Sequence, residues 1–224
     1  ERKRRRAMSA RSDVEFIVNK ILSGFSVTRA DEVPAIDLYM DQVLTFMGER
    51  LRRTARKSDA DKLLTKTMIN NYVKNKVMIP PVKKKYGRDH ILLLMVIYYL
   101  KNFLSIDDIR KIVGPVSDKY ARPTTKSAEQ QAGKKHRYSM TDVYTEVFEY
   151  VSRNVERFPG EVQEILSETD NAFEKAPEED REMLRRFNVI CQLSADIYLR
   201  KLLIEKLLDE TPGVSDAART TRNK

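Results

Sequence analysis

The sequence predicts an all-α protein with one short β excursion, and three observations carry that prediction. Glycine and proline are scarce, 7 and 8 among 224 residues, which favours helices over a turn-rich β fold. Apolar residues recur at i, i+3 and i+4 along most of the chain, the period of an amphipathic helix. The segment 76–86, with Pro80-Pro81 and three successive lysines, cannot continue a helix and is expected to leave it as a hairpin-like wing.

The elements follow in order. Residues 1–11 form a basic arm with Arg2, Lys3, Arg4, Arg5, Arg6 and Arg11, which suits a minor-groove contact or a solubilising tail equally. A helix is expected from Ser12, at capping-box spacing from Glu15, to Gly24. A second spans Ile36 to Arg56, with Tyr39, Met40, Val43, Met47 and Leu51 on one face. A short helix runs from Lys66 to Lys74 behind Thr65 as its cap. Arg88–Asn102 is apolar nearly all round and should be buried. Ser105 with Asp108 opens another helix, expected to end at Val113. Residues 114–138, with Gly114, Pro115 and Pro123, look like a hinge. Ser139 and Asp142 begin a helix that Pro159-Gly160 should break, followed by one carrying Val162, Ile165, Leu166 and Phe173. A long helix, Glu178–Glu210, closes the C-terminal three-helix region. The expected divisions are therefore 1–30, 31–113, 114–138, 139–212 and a tail, 213–224.

Composition excludes several classes. With 41% hydrophobic and 33% charged residues the chain should be soluble and globular. Its longest apolar run, Ile91–Leu100, is too short to span a bilayer, so no membrane partner is expected. The arginine-rich start lacks the apolar core of a secretory leader, and the single cysteine, Cys191, fits a reducing compartment; a cytoplasmic location is expected. Cys191 reads as a small core residue on an apolar helix face. The only histidines, His90 and His136, have no partner at metal or triad spacing, and His90 reads as a packing or cap residue. No phosphate-binding glycine loop occurs. Neither an enzyme nor a cofactor is expected.

Charge distribution says more than the net +9. From Lys62 to Arg88 there are eight basic residues and no acid, whereas 161–182 holds nine acids against two bases. Such a division suggests that one part meets a polyanion, although both could be solvated faces. Within the basic block, Met68, Ile69, Tyr72 and Val73 can face a core, leaving Lys66, Thr67, Asn70, Asn71 and Lys74 outward. A short polar-faced helix fits the major groove of double-stranded DNA, and asparagine can pair with adenine edges. Lys83, Lys84, Lys85, Tyr86 and Arg88 then suit phosphate contact from the wing. A different class remains open: a helical interaction module whose basic face meets an acidic protein.

These residues also carry a resemblance. Met68-Ile69-Asn70-Asn71-Tyr72, then Val77-Met78-Ile79-Pro80, the basic loop, Tyr86 and the buried helix resemble the winged helix-turn-helix head of MerR-type regulators. Asn70 and Asn71 stand where that family has Arg and Tyr, and Lys76 stands where it has the turn glycine. Ile36–Val43, Thr65–Lys74 and Lys83–Ile91 further resemble a bacterial family known only as a domain of unknown function, over roughly residues 30–113. The resemblance implies a DNA-binding head and a role in transcription regulation, with no known ligand or effector. A repressor-like homodimer through the C-terminal helices is expected, with Leu203 or Leu207 near the contact, because the last helix is apolar on more sides than its neighbours can cover.

Overall fold

The computed structural model describes residues 10–25, 27–52, 63–132 and 137–210. The basic arm through Ser9, Lys62 and the tail 213–224 lie outside them. Among the described residues the order is α1 (Ala10–Gly24), a 3-10 turn (Ala30–Glu32), β1 (Leu38–Tyr39), α2 (Met40–Leu51), α3 (Lys66–Lys74), β2 (Lys85–Tyr86), α4 (Arg88–Leu100), α5 (Ile106–Tyr120), α6 (Thr125–Ala132), α7 (Met140–Asp170) and α8 (Glu178–Glu210). The described protein is mostly helical. The described residues divide into two compact units, one within 27–150 with 206–210, the other within 10–25 with 151–205.

The first unit is built on α4, whose Ile91, Leu92, Leu93, Leu94, Met95 and Ile97 are all at most 1% exposed. An all-round apolar helix of this kind needs neighbours on every side. Val43, Met47 and Leu51 of α2, Ile69 and Tyr72 of α3, Ile109 and Val113 of α5, and Met140, Tyr144 and Phe148 of α7 are buried in the same unit. The Tyr144 hydroxyl donates to the Thr28 carbonyl at 2.7 Å.

The sheet has two short strands, antiparallel, with Leu38 opposite Tyr86 and Tyr39 opposite Lys85. This shortens the second predicted helix. Leu38–Tyr39 is extended because β2 pairs with it, a bend lies before it at Ile36, and α2 starts only at Met40, where the Gln42 side chain accepts from the Tyr39 amide.

The expected hinge is corrected. Helix α5 does not end at Val113 but runs on through Gly114 and Pro115 to Tyr120, and α6 follows. Pro115 forfeits one helical hydrogen bond. Tertiary contacts offset that deficit: a Cβ on Gly114 would lie 3.2 Å from the Lys76 carbonyl, and Ser117 Oγ accepts from the Ile79 amide at 2.9 Å. Beyond the helix, the amide of Arg122 donates to Asp89 Oδ2 at 2.8 Å. The start of α6 is held from far away in sequence, since Asp37 Oδ1 accepts from the Thr125 amide at 2.7 Å and Thr125 Oγ1 from that of Arg88 at 3.1 Å.

Asp89 is 2% exposed, and burial lifts its carboxyl from 3.8 to about 6, against smaller opposing contributions from Arg122 and Arg88. Between those two values the unfolded chain loses its proton while the folded one keeps it. Stability therefore falls as pH rises through that window, by on the order of 2–3 kcal/mol at most. Asp89→Asn keeps an acceptor for Arg122 without the charge. It is expected to be the more stable form at pH 7.5, with the advantage fading towards pH 4. Urea denaturation at both pH values checks this, and an Asn form that is weaker at pH 7.5 would show the carboxylate to be a net asset.

In the second unit Val18 of α1, Val162 and Leu166 of α7 and Val189 of α8 form a buried cluster, with Val14, Leu22, Phe158, Ile165 and Leu193 packed against it. Glu15 accepts from Gln163 at 2.9 Å, and Arg186 pairs with Asp13 at 2.5 Å. Pro159-Gly160 does not break α7, so the expected three C-terminal helices are two. The apolar positions Val155, Phe158, Val162 and Ile165 keep one helical register across the Pro-Gly pair, and burying that single stripe outweighs the one hydrogen bond forgone. Cys191, expected in the core, is exposed.

Candidate nucleic-acid interface

Helix α3 begins where Thr65 leaves extended backbone and its Oγ1 accepts from the Met68 amide at 3.1 Å. Ile69 and Tyr72 are buried and Met68 and Val73 half-buried, so one face is fixed to the core. Lys66, Thr67, Asn70, Asn71 and Lys74 are exposed on the other. Lys66 Nζ lies 2.7 Å from Asp41 Oδ1, an exposed pair of small net worth. Asn75 donates to the Asn71 carbonyl at 2.8 Å and to its Oδ1 at 3.3 Å, which orients that carboxamide.

The exit from α3 is a Schellman turn without glycine. The amide of Lys76 donates to the Val73 carbonyl at 3.1 Å and that of Val77 to the Tyr72 carbonyl at 2.9 Å, with Lys76 at φ +56°. The tight turn that the resemblance assigns to glycine is thus made by a lysine. Sequence reasoning left Lys76 out of the basic face; its signal was its place at the glycine position.

Val77 and Met78 are buried, and the chain then reaches a two-residue turn. Val82 and Lys85 exchange backbone hydrogen bonds of 3.2 and 2.9 Å around Lys83 and Lys84, at φ +51° and +62°. Positive φ at both central residues is the type I′ pattern, which asparagine and glycine adopt far more readily than lysine. Lys83 and Lys84 are exposed at the tip. Lys85 is half-buried, its Nζ 4.9 Å from the centroid of the Tyr39 ring.

Two predicted contact residues turn inward instead. Tyr86 is 4% exposed, edge-on to the His90 ring at 5.4 Å, and burial raises its phenol above the ordinary range. Arg88 donates from Nη2 to the Ala30 carbonyl at 2.5 Å, and its Nε is buried. The cause is Gly87, on which a Cβ would lie 2.7–2.9 Å from the backbone of Thr124 and Thr125. That close approach carries Tyr86 and Arg88 into the unit. His90 caps its own helix, as Nδ1 accepts from the Gly87 amide at 3.1 Å, and burial lowers its pKa, so the ring is neutral. His136 lies outside the described residues. Among the described residues no three His, Cys, Asp or Glu side chains are grouped to hold a metal, and no helix is long and apolar enough to cross a membrane.

The eight remaining predicted residues are thus a polar helix face and a basic turn on one unit, joined by the eight residues 75–82, of which Lys76 is the second. No curated protein and no solved structure matches the chain. Residues 28–131 match the family model described as Domain of unknown function (DUF1836), a span that runs from the 3-10 turn through α6 and includes all ten predicted contact residues.

Proposed function

We propose that this protein is a sequence-specific DNA-binding transcriptional regulator, with α3 as the recognition helix and the Lys83-Lys84 turn as the wing of a MerR-like head. The observation that carries the reading is the pair formed by an exposed face of Lys66, Thr67, Asn70, Asn71 and Lys74 and three lysines held at positive φ nearby in sequence, Lys76, Lys83 and Lys84. The turns need positive φ there, yet they carry exposed lysines where glycine or asparagine would fit with less strain, and strain of that sort gathers at working surfaces. Lysine ammonium groups there meet phosphates, and the asparagines read base edges. Tyr86 and Arg88 support the wing from within and do not touch DNA.

The test is selection from a random duplex library with the full chain. An enriched motif is expected. Lys83→Ala/Lys84→Ala should weaken selected and scrambled DNA alike, and the log–log salt slope should become shallower by about 0.9 for each phosphate that the wing no longer meets. Asn70→Ala and Asn71→Ala should instead narrow the gap between selected and scrambled sites, by on the order of 1–3 kcal/mol per bidentate contact. Selection that enriches nothing, with weak binding to every duplex, would overturn the proposal in favour of an acidic protein partner.

A further inference from the structure

Helix α8 has two apolar faces, and its own unit uses one. Val189 and Leu193 pack into the cluster with Val18, Val162 and Leu166. On the adjoining side Met183, Phe187, Ile190, Ser194 and Ile197 succeed one another at spacings of four and three, the interval of a coiled-coil seam. Their apolar members are 61%, 62%, 57% and 67% exposed. Isolated exposed apolar residues are ordinary, but a continuous stripe marks an interface.

We infer that the Met183–Ile197 face of α8 seats against the same face of a second copy, with the two helices antiparallel. Two features choose this occupant. The stripe is centred on Ile190, with Met183 and Ile197 seven residues to either side, so an antiparallel copy sets Ile190 against Ile190 and each Met183 against an Ile197, while Phe187 meets the small Ser194. The charges beyond it are complementary: the first turn holds Glu178, Glu179 and Asp180, and Arg200 and Lys201 lie past the other end. Antiparallel pairing brings the acidic turn of each copy to the basic turn of the other, whereas parallel pairing sets acids against acids. Arg200 and Lys201 already have intrahelical partners in Asp196 and Glu205, so the acidic turn would extend those pairs into a network. The stripe with Tyr198 offers roughly 600 Å² per copy, close to what a specific pair needs. Leu203 and Leu207, the contact expected from sequence, are exposed as well but lie round the helix from this seam.

Sedimentation equilibrium of the full chain at micromolar concentration should report a dimer, and Ile190→Glu/Ile197→Glu a monomer with unchanged helicity and melting temperature. A monomeric wild type, or a double variant that loses its fold, would place the stripe inside the monomer and overturn the inference. Direction is read in a Cys191→Ser background with a short bismaleimide. Met183→Cys chains should cross-link to Ile197→Cys chains and not to each other, and the reverse result would overturn the antiparallel pairing. No DNA enters either measurement, so each outcome is independent of the proposed function.

Discussion

Gly87→Ala is expected to destabilise the protein by about 3 kcal/mol and to lower its melting temperature by roughly 10 °C, the upper range for overpacking a close contact. The added methyl would lie 2.7 Å from the Thr125 nitrogen and 2.8 Å from the Thr124 carbonyl carbon, and both are backbone atoms that cannot swing aside. Relief requires moving the start of α6, which stretches the hydrogen bonds from the Thr125 amide to Asp37 and from the Arg88 amide to Thr125. The same substitution at Gly48 should do the opposite. That glycine is inside α2, and a methyl there would have nothing within 4 Å, so alanine should add on the order of 0.5–1 kcal/mol through helix propensity. Thermal denaturation of the two variants side by side is the check. A Gly87→Ala protein within about 1 kcal/mol of wild type would mean that α6 does not press on this turn in solution.

Lys83→Asn/Lys84→Gly is expected to make the protein more stable and a poorer DNA binder at once. Each lysine in the left-handed region costs roughly 1–2 kcal/mol, and Asn-Gly is the pair that fits both positions of a type I′ turn, so about 2 kcal/mol should return. Two ammonium groups leave with the strain, and affinity for any duplex at moderate salt should drop by more than about tenfold. The two effects separate in one further variant. Lys83→Ala/Lys84→Ala removes the charge but keeps side chains at positive φ, so duplex binding should fall as far without the gain in stability. If the Asn-Gly form gains nothing, the turn in solution is not the one described; if it binds DNA undiminished, the turn is not the wing.

What could be read from sequence was what neighbouring residues decide. The limits of α3 followed from Thr65 and those of α8 from its long apolar run, and the burial of α4 followed from having no polar side. What could not be read depended on distant partners. Helix α5 crosses Gly114-Pro115 because Lys76 and Ile79 lie against it, and Leu38–Tyr39 is extended because Lys85 and Tyr86 pair with it. The candidate site divides in the same way. Its helix face was legible from the 3.6-residue period, whereas charge and aromatic character gave no direction for Tyr86 and Arg88, which Gly87 turns inward. Lys76 was passed over because a lysine is not expected where a turn wants glycine.

The bond from Tyr144 to Thr28 joins residues 116 apart, and that spacing matters while the chain is being made. Local helices such as α3 and α4 can form as they leave the ribosome. The carbonyl of Thr28, by contrast, waits for α7, and at ordinary synthesis rates that interval is on the order of ten seconds. During it the surface that Met140, Tyr144 and Phe148 will cover stays open to water and to any passing chaperone. The unit is thus completed from its far end, after the segment with the candidate contact residues has already emerged, and a ribosome that stalls before residue 140 leaves the unit unfinished.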